Sequence, residues 1–308
     1  MVEIPKTLSD GSRLLIPPAL KAAYLDSLKK HSLLETAAGA RPDPAPVGGL
    51  SQEATDEHYA HQFDGSVARA QLALLDPKGE VATTSNTLLQ FFSGGTLCFI
   101  DVPSGAGAAA LAIISSIAEL RAQGVLPRQP LYVELLQGEI SAPARSYADE
   151  LMHQVSRAAA EQAIFVKWSC FSWDVLCEVS NASLVEKIVL AKQNSLQTLL
   201  LISNFNGFLE QSKKKKEAQP QISELFKYSS GKMNAAVWIE PQMSAAKLGL
   251  FPFLMEKVLS KLPAFAKSVL GGSGNEETSF AFAPPMKMEK SVIVRLCVMP
   301  VELVKGSL

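Results

Sequence analysis

The stretch Leu97-Cys-Phe-Ile-Asp101-Val-Pro-Ser-Gly105-Ala-Gly107-Ala-Ala-Ala110-Leu-Ala112 decides how the chain folds. An apolar run ends in an acid, turns through two glycines and enters an alanine-rich helix. Glycines there let a ligand approach the backbone, and the start of a helix offers unpaired N–H groups. Gly105-x-Gly107-x-x-Ala110 also fits a dinucleotide fingerprint, so the loop alone does not choose between ligands. Two features lean away from a dinucleotide. Asp101 closes the strand before the glycines, where a carboxylate would repel a pyrophosphate and suit a cationic ligand. The following strand, Leu131-Tyr-Val-Glu-Leu-Leu-Gln-Gly138-Glu139-Ile-Ser141, ends in an acid 38 positions after Asp101, beyond the spacing of about 20 in that fingerprint. An acid at that point can accept both hydroxyls of a ribose.

Around this stretch the pattern alternates. Apolar strand candidates are 97–101, 131–136, 163–168, 198–203, 235–240, 279–283 and 292–299. Helical stretches at 107–122, 143–160, 181–194 and 221–230 separate the first five. Strands alternating with helices predict an α/β, doubly wound, mostly parallel seven-stranded sheet. Only PPMKMEKS lies between the last two strands, so they are expected to pair as a terminal antiparallel hairpin. Ahead of the sheet, 17–35 and 51–76 read as helices, the second opening at Ser51 and open to breakage at Gly65, with a further short helix at 84–93. Three prolines and three glycines make 36–50 a mobile loop. The division is therefore an N-terminal helical cap, 1–76, and a sheet domain, 77–308.

The 308 residues carry a net charge of −1 and are 47% hydrophobic, which suits a globular chain and gives no global field for naked nucleic acid. Mean hydropathy is +0.14, yet no window is long and apolar enough to span a membrane. Cys98, Cys170, Cys177 and Cys297 lie far apart with no CxxC pair, as expected of reduced thiols in a cytoplasmic protein. Glu3 and the lack of an apolar run at the N-terminus speak against a secretory signal. His58 and His61 share a helix face with Glu57, too thin a cluster for a metal site, and no metal is expected. Lys213–Lys216 reads as a solvated run.

Phe99-Ile-Asp101-Val-Pro-Ser-Gly105-Ala-Gly107 followed by Gly138-Glu139-Ile140-Ser141 resembles the first two motifs of class I, Rossmann-like S-adenosylmethionine-dependent methyltransferases. The resemblance covers about residues 76–308. It implies S-adenosylmethionine as cofactor, with Asp101 near its amino-acid moiety and Glu139 on its ribose. Pro103, Gly105, Gly107 and Ser141 would complete the cofactor loop and turn. Pro103 departs from the family, which usually has a glycine there; proline fixes φ and removes an N–H. Asp174, after the third strand, would approach the adenine or else cap a helix. Asn204, after the fourth, would hydrogen-bond at the pocket mouth. Ser203-Asn204-Phe205-Asn206 lacks the prolines of enzymes that methylate base amines, and no Pro-Cys nucleophile is present. The acid-proline pair Glu240-Pro241 is a further family feature. Phe63 and Arg69 on the cap, with Phe205, are the substrate-side candidates. Residues 243–278, read as helices 244–260 and 262–270 with a glycine-rich loop, would form a lid. No catalytic residue is identified, because methyl transfer needs mostly positioning. The expected function is methyl transfer to an unknown acceptor. The alternatives are a catalytically silent, methyltransferase-like interaction module with a protein partner, and a nicotinamide-dependent oxidoreductase.

Overall fold

The computed structural model describes residues 3–40, 42, 48–231, 233–241, 277–283 and 290–301. The expected lid at 243–278 falls almost wholly outside them, as do 41 and 43–47 of the 36–50 loop. The chain opens with α1 (Pro18–Lys30), α2 (Leu34–Ala38), α3 (Gln52–Leu75) and α4 (Ala82–Phe91). It continues as β1 (Gly95–Asp101), α5 (Ala108–Ala122), β2 (Leu131–Gly138), α6 (Ala142–Ala160), β3 (Ile164–Phe171), α7 (Glu178–Gln193) and β4 (Gln197–Ser203). Then come α8 (Asn206–Gln211), α9 (Lys215–Ser229), β5 (Asn234–Pro241), β6 (Glu277–Ala283) and β7 (Lys290–Val301). The strands lie in the order β3-β2-β1-β4-β5-β7-β6. The first five are parallel, β7 runs antiparallel to β5, and β6 runs antiparallel to β7. The sheet is thus mostly parallel, as the alternation of strands and helices implies.

Strand periodicity sends alternate residues to opposite faces. Leu97 and Phe99 of β1 face one cluster, built with α1, α3, α5 and α6; Cys98 and Ile100 face the other, built with α7, α8 and α9. On the first face α5 is buried nearly all round. It lies between the sheet and α3, and its small residues, among them Ala108, Ala109, Ala110 and Ala112, let two layers pack on it at once. The segment 1–76 and the sheet therefore share one hydrophobic cluster. α3 passes through Gly65 without a break. A helical glycine costs about 1 kcal/mol relative to alanine, less than the burial of Tyr59, Phe63, Val67, Leu72 and Leu74 along that helix returns. The expected helix 17–35 ends instead at Lys30, where Ser32 takes a positive φ of 58° before α2.

At the amino edge of the sheet Arg121, 2% exposed, gathers the start of three strands. Its Nη1 donates to the carbonyls of Gln129 (2.7 Å), Gln162 (2.9 Å) and Ala163 (3.3 Å), and Nη2 to those of Phe92 (3.2 Å) and Ser93 (3.4 Å). Five strand-leading carbonyls are gathered by one planar cation; that of Ala163 also accepts the Leu131 N–H at 2.9 Å. Arg121→Met is expected to strand them and lower stability by about 3 kcal/mol, measured as urea unfolding followed by circular dichroism.

Candidate functional site

In the observed order β1 sits between β2 and β4, and the chain winds outward in opposite directions from it. The crevice beyond the carboxyl end of β1 is the switch point at which doubly wound sheets take ligands. Glu139, Gly105, Ser141 and Asn204 all end there, each placed by a strand terminus.

Glu139 is 8% exposed and is fixed by two backbone donors. Gly105 N–H donates to its Oε2 at 3.0 Å and Ser141 N–H to its Oε1 at 2.8 Å. Burial pushes its pKa up, while these bonds and Arg145 hold it down. Arg145 itself donates to the Glu139 carbonyl at 2.5 Å. Each carboxylate oxygen keeps acceptor capacity beyond one N–H. Beside it Ile140 is 44% exposed, an apolar surface next to the acid that reading the chain did not single out.

The two glycines divide the work. Gly105 (φ 53°) faces open space, with nothing within 4 Å of the place where a Cβ would sit. Gly107 (φ 77°) faces the interior, where a Cβ would meet Gln137 Nε2 at 2.9 Å and Ala148 and Leu111 at 3.2 Å. Gly105 alone of the pair therefore borders the crevice; Gly107 is a packing glycine and the start of α5. Gly138 is likewise a packing glycine, because a Cβ there would lie 2.9 Å from both Trp173 and Val102. Pro103 does not disrupt the turn. Its missing N–H is not needed, because Ser104 N–H bonds the Gly138 carbonyl at 2.9 Å and Gly107 N–H bonds the Ser104 carbonyl at 2.8 Å.

Asp101 departs from its expected place. It is 0% exposed, beneath the loop, and neither carboxyl oxygen has a hydrogen bond of ordinary geometry. Burial pushes its pKa up to about 8, opposed by the nearby Gln137 amide and Ala110 N–H and reinforced by Glu139. It is then largely uncharged at neutral pH and does not present a carboxylate to a ligand.

The cap reaches the crevice through hydroxyls. Thr55 Oγ1 lies 3.0 Å from Ser141 Oγ, joining α3 to the turn that Glu139 closes. Ser66 Oγ accepts from Arg69 Nη2 at 3.0 Å and from Asn204 Nδ2 at 3.1 Å, so Arg69 and Asn204 meet on one hydroxyl. Asn204 holds a φ of 55° as β4 ends, a conformation asparagine tolerates better than most. His58 lies on the same stretch of α3; burial, and then Arg69, push its pKa down to about 4. Among the described residues no group of three or more His, Cys, Asp or Glu is placed to hold a metal ion.

Two substrate-side candidates lie elsewhere. Phe63, 3% exposed, packs at 4.6 Å on Tyr24 and 5.2 Å on Tyr59 in the hydrophobic layer behind the crevice. Its four-residue step from Tyr59 put both on the buried face of α3. Phe205, 6% exposed, belongs to the opposite cluster with Trp173. Asp174 serves its own turn, accepting the Leu176 N–H at 2.9 Å while its N–H donates to Ser180 Oγ at 2.9 Å. The loop that carries it still runs beside the crevice, since Trp173 N–H bonds the Glu139 carbonyl at 3.3 Å. Glu240, fully buried, accepts the N–H groups of Phe205 (2.7 Å) and Asn206 (2.6 Å) and the Trp238 indole N–H (2.7 Å) on one oxygen. It fixes the turn after β4. Lys214 and Lys215 of the lysine run pair with Glu217 and Glu210 at the start of α9, and Lys215 is half-buried there rather than solvated.

No family model matches the chain, and no curated protein does. Solved structures similar to it include proteins designated methyltransferases. One, from Listeria monocytogenes, is designated a class I S-adenosylmethionine-dependent methyltransferase. It is 11% identical, with 94% of this chain and 80% of that one covered and a TM-score of 0.39. The precorrin-6y C5,15-methyltransferase of Geobacter metallireducens is 10% identical over 72% of this chain and 88% of its own, with a TM-score of 0.33. A protein of Pyrococcus horikoshii designated an RNA methyltransferase is also 10% identical, over 72% and 84%, with a TM-score of 0.35. Likeness at this level says nothing of what this chain binds; the strand order is its own.

The burial of Asp101 has a measurable consequence. The folded protein holds its proton to about pH 8, whereas the unfolded chain releases it near 3.8. Stability therefore falls as pH rises between those values, and the full penalty is present above about 8. Glu139 and Cys170 are the titratable groups beside it. Asp101→Asn removes the penalty, so its stability relative to wild type should improve from pH 5 to pH 9 in chemical denaturation. A difference independent of pH would contradict the assignment.

Proposed function

We propose that the chain is an S-adenosylmethionine-dependent methyltransferase whose cofactor lies in the crevice beyond β1. The observation that carries the reading is Glu139. Its carboxylate closes β2, keeps acceptor capacity for a ribose diol, and stands beside the open flank of Gly105 and the exposed Ile140. The residues suit the group: Glu139 would hold the ribose, and Gly105 would admit the backbone approach. Ile140 and the loop of Trp173 and Asp174 would border the base. When bound, the cofactor supplies an electrophilic methyl group; the chain's part is to bind, orient and exclude water. The Arg69–Ser66–Asn204 bridge lies on the acceptor side of this arrangement, and the acceptor is unassigned.

A dinucleotide fits less well, for a reason other than the one Asp101 suggested. Glu139 already takes the Gly105 N–H, the donor a pyrophosphate would need. One observation favours the silent interaction module: both Glu139 oxygens are engaged by backbone donors, which closes the loop on itself. A cytoplasmic location and a helical cap over the crevice belong to the same proposal. Among the described residues, no helix is long and apolar enough to cross a membrane.

Calorimetry of the full chain against S-adenosylmethionine, S-adenosylhomocysteine and NAD separates the three readings. Binding of the first two but not of NAD is expected, and Glu139→Ala should weaken it by about 1.5–3 kcal/mol. Binding that survives Glu139→Ala unchanged would remove Glu139 from the site. No binding of any of the three would favour the interaction module.

A further inference from the structure

Beneath the glycine loop lies a pair of side chains that the crevice leaves without a task. Asp101 and Gln137 are register partners on β1 and β2, and both are wholly buried. Cys170 Sγ donates to Gln137 Oε1 at 3.4 Å, which orients the carboxamide. Gln137 Nε2 then lies 2.9 Å from where a Cβ at Gly107 would sit, with no acceptor of ordinary geometry. Both Asp101 oxygens also lack a donor of ordinary geometry. The Gln137 amide and the Ala110 N–H nonetheless act on the Asp101 carboxyl and favour its ionised form, and in an apolar interior such a pair is felt strongly on both sides. Only a glycine at 107 leaves room for the carboxamide at that distance.

We propose that Gln137 is the positioning residue of the crevice: its carboxamide, wedged against Gly107 and facing Asp101, sets the course of the Gly105–Gly107 turn. Its effect on ligand binding rests on the methyltransferase reading; its effect on the loop does not. Gln137 touches no surface open to a ligand. It acts through Gly107, which starts α5, and through Asp101 below the turn. Two titratable groups face Asp101, Glu139 at the end of β2 and Cys170 on β3. The Gln137 amide favours the ionised form of Asp101, so removing it should push the Asp101 pKa further up.

The test uses Gln137→Met, close in shape and without the amide. In the full chain without ligand, carbon-13 NMR of aspartate carboxyls should show the Asp101 midpoint, about 8 in wild type, moved upward. The Gly105 and Gly107 amide resonances should move as well. S-adenosylhomocysteine should bind roughly tenfold more weakly, the order of loss for one buried hydrogen-bonding group. A merely structural role would lower the melting temperature and leave the Asp101 titration in place. Unchanged titration and glycine resonances would overturn the proposal. Failure of wild type to bind S-adenosylhomocysteine would count against the methyltransferase reading, with the NMR titration still deciding on Gln137. If Gln137→Met does not fold, stability is compared among Gly107→Ala, Gln137→Ala and the double variant. The proposal expects the double variant to be more stable than Gly107→Ala alone, and additive losses would overturn it.

Discussion

The Glu139 carboxylate, shared between the N–H groups of Gly105 and Ser141, is the contact on which the crevice depends. It ties the glycine turn after β1 to the turn that opens α6. Ser141 passes the connection on to α3 through Thr55. A carboxylate this deeply buried is costly unless donors surround it, and here backbone donors are delivered by two strand ends. The same group that braces the loop has capacity left to receive a ligand's hydroxyls. In the proposed reading one side chain would serve both bracing and recognition.

The second constraint is the burial of α5. A helix flanked by the sheet below and α3 above has no polar face, which is why its first turns are almost all alanine. The N-terminal helices are for that reason a layer of the fold. Along α3 two tasks fall on neighbouring positions. Tyr59, Phe63 and Val67 fill the core, whereas Thr55, Ser66 and Arg69 reach toward β4 and the β2–α6 turn.

Much of this is legible in the order of the amino acids. Strand and helix alternation followed from hydrophobic period, and the acid at the end of β2 stood out because it interrupts an apolar run next to a glycine. The direction of side chains was not legible. Nothing local distinguishes Gly105, which faces open space, from Gly107, which faces Gln137. Asp101 at a strand's end reads as an acid presented to a ligand, but the loop folds back over it. Phe63 and Arg69 are close in sequence and part ways only because a helix turns 100° per residue. Gln137, Gly138, Ser66 and Glu240 acquired roles from neighbours distant in the chain, which no single-chain pattern reports.

The central claim is that this crevice is built around an adenosyl group. A crystal structure of the full chain grown with S-adenosylhomocysteine tests it most directly. The account predicts the ribose hydroxyls on the Glu139 carboxylate, the ligand passing the open side of Gly105, and Asp101 still covered beneath the loop. A ligand seated elsewhere, or a crevice that stays closed with Gly105 N–H bonded to Glu139 at saturating ligand, would contradict it.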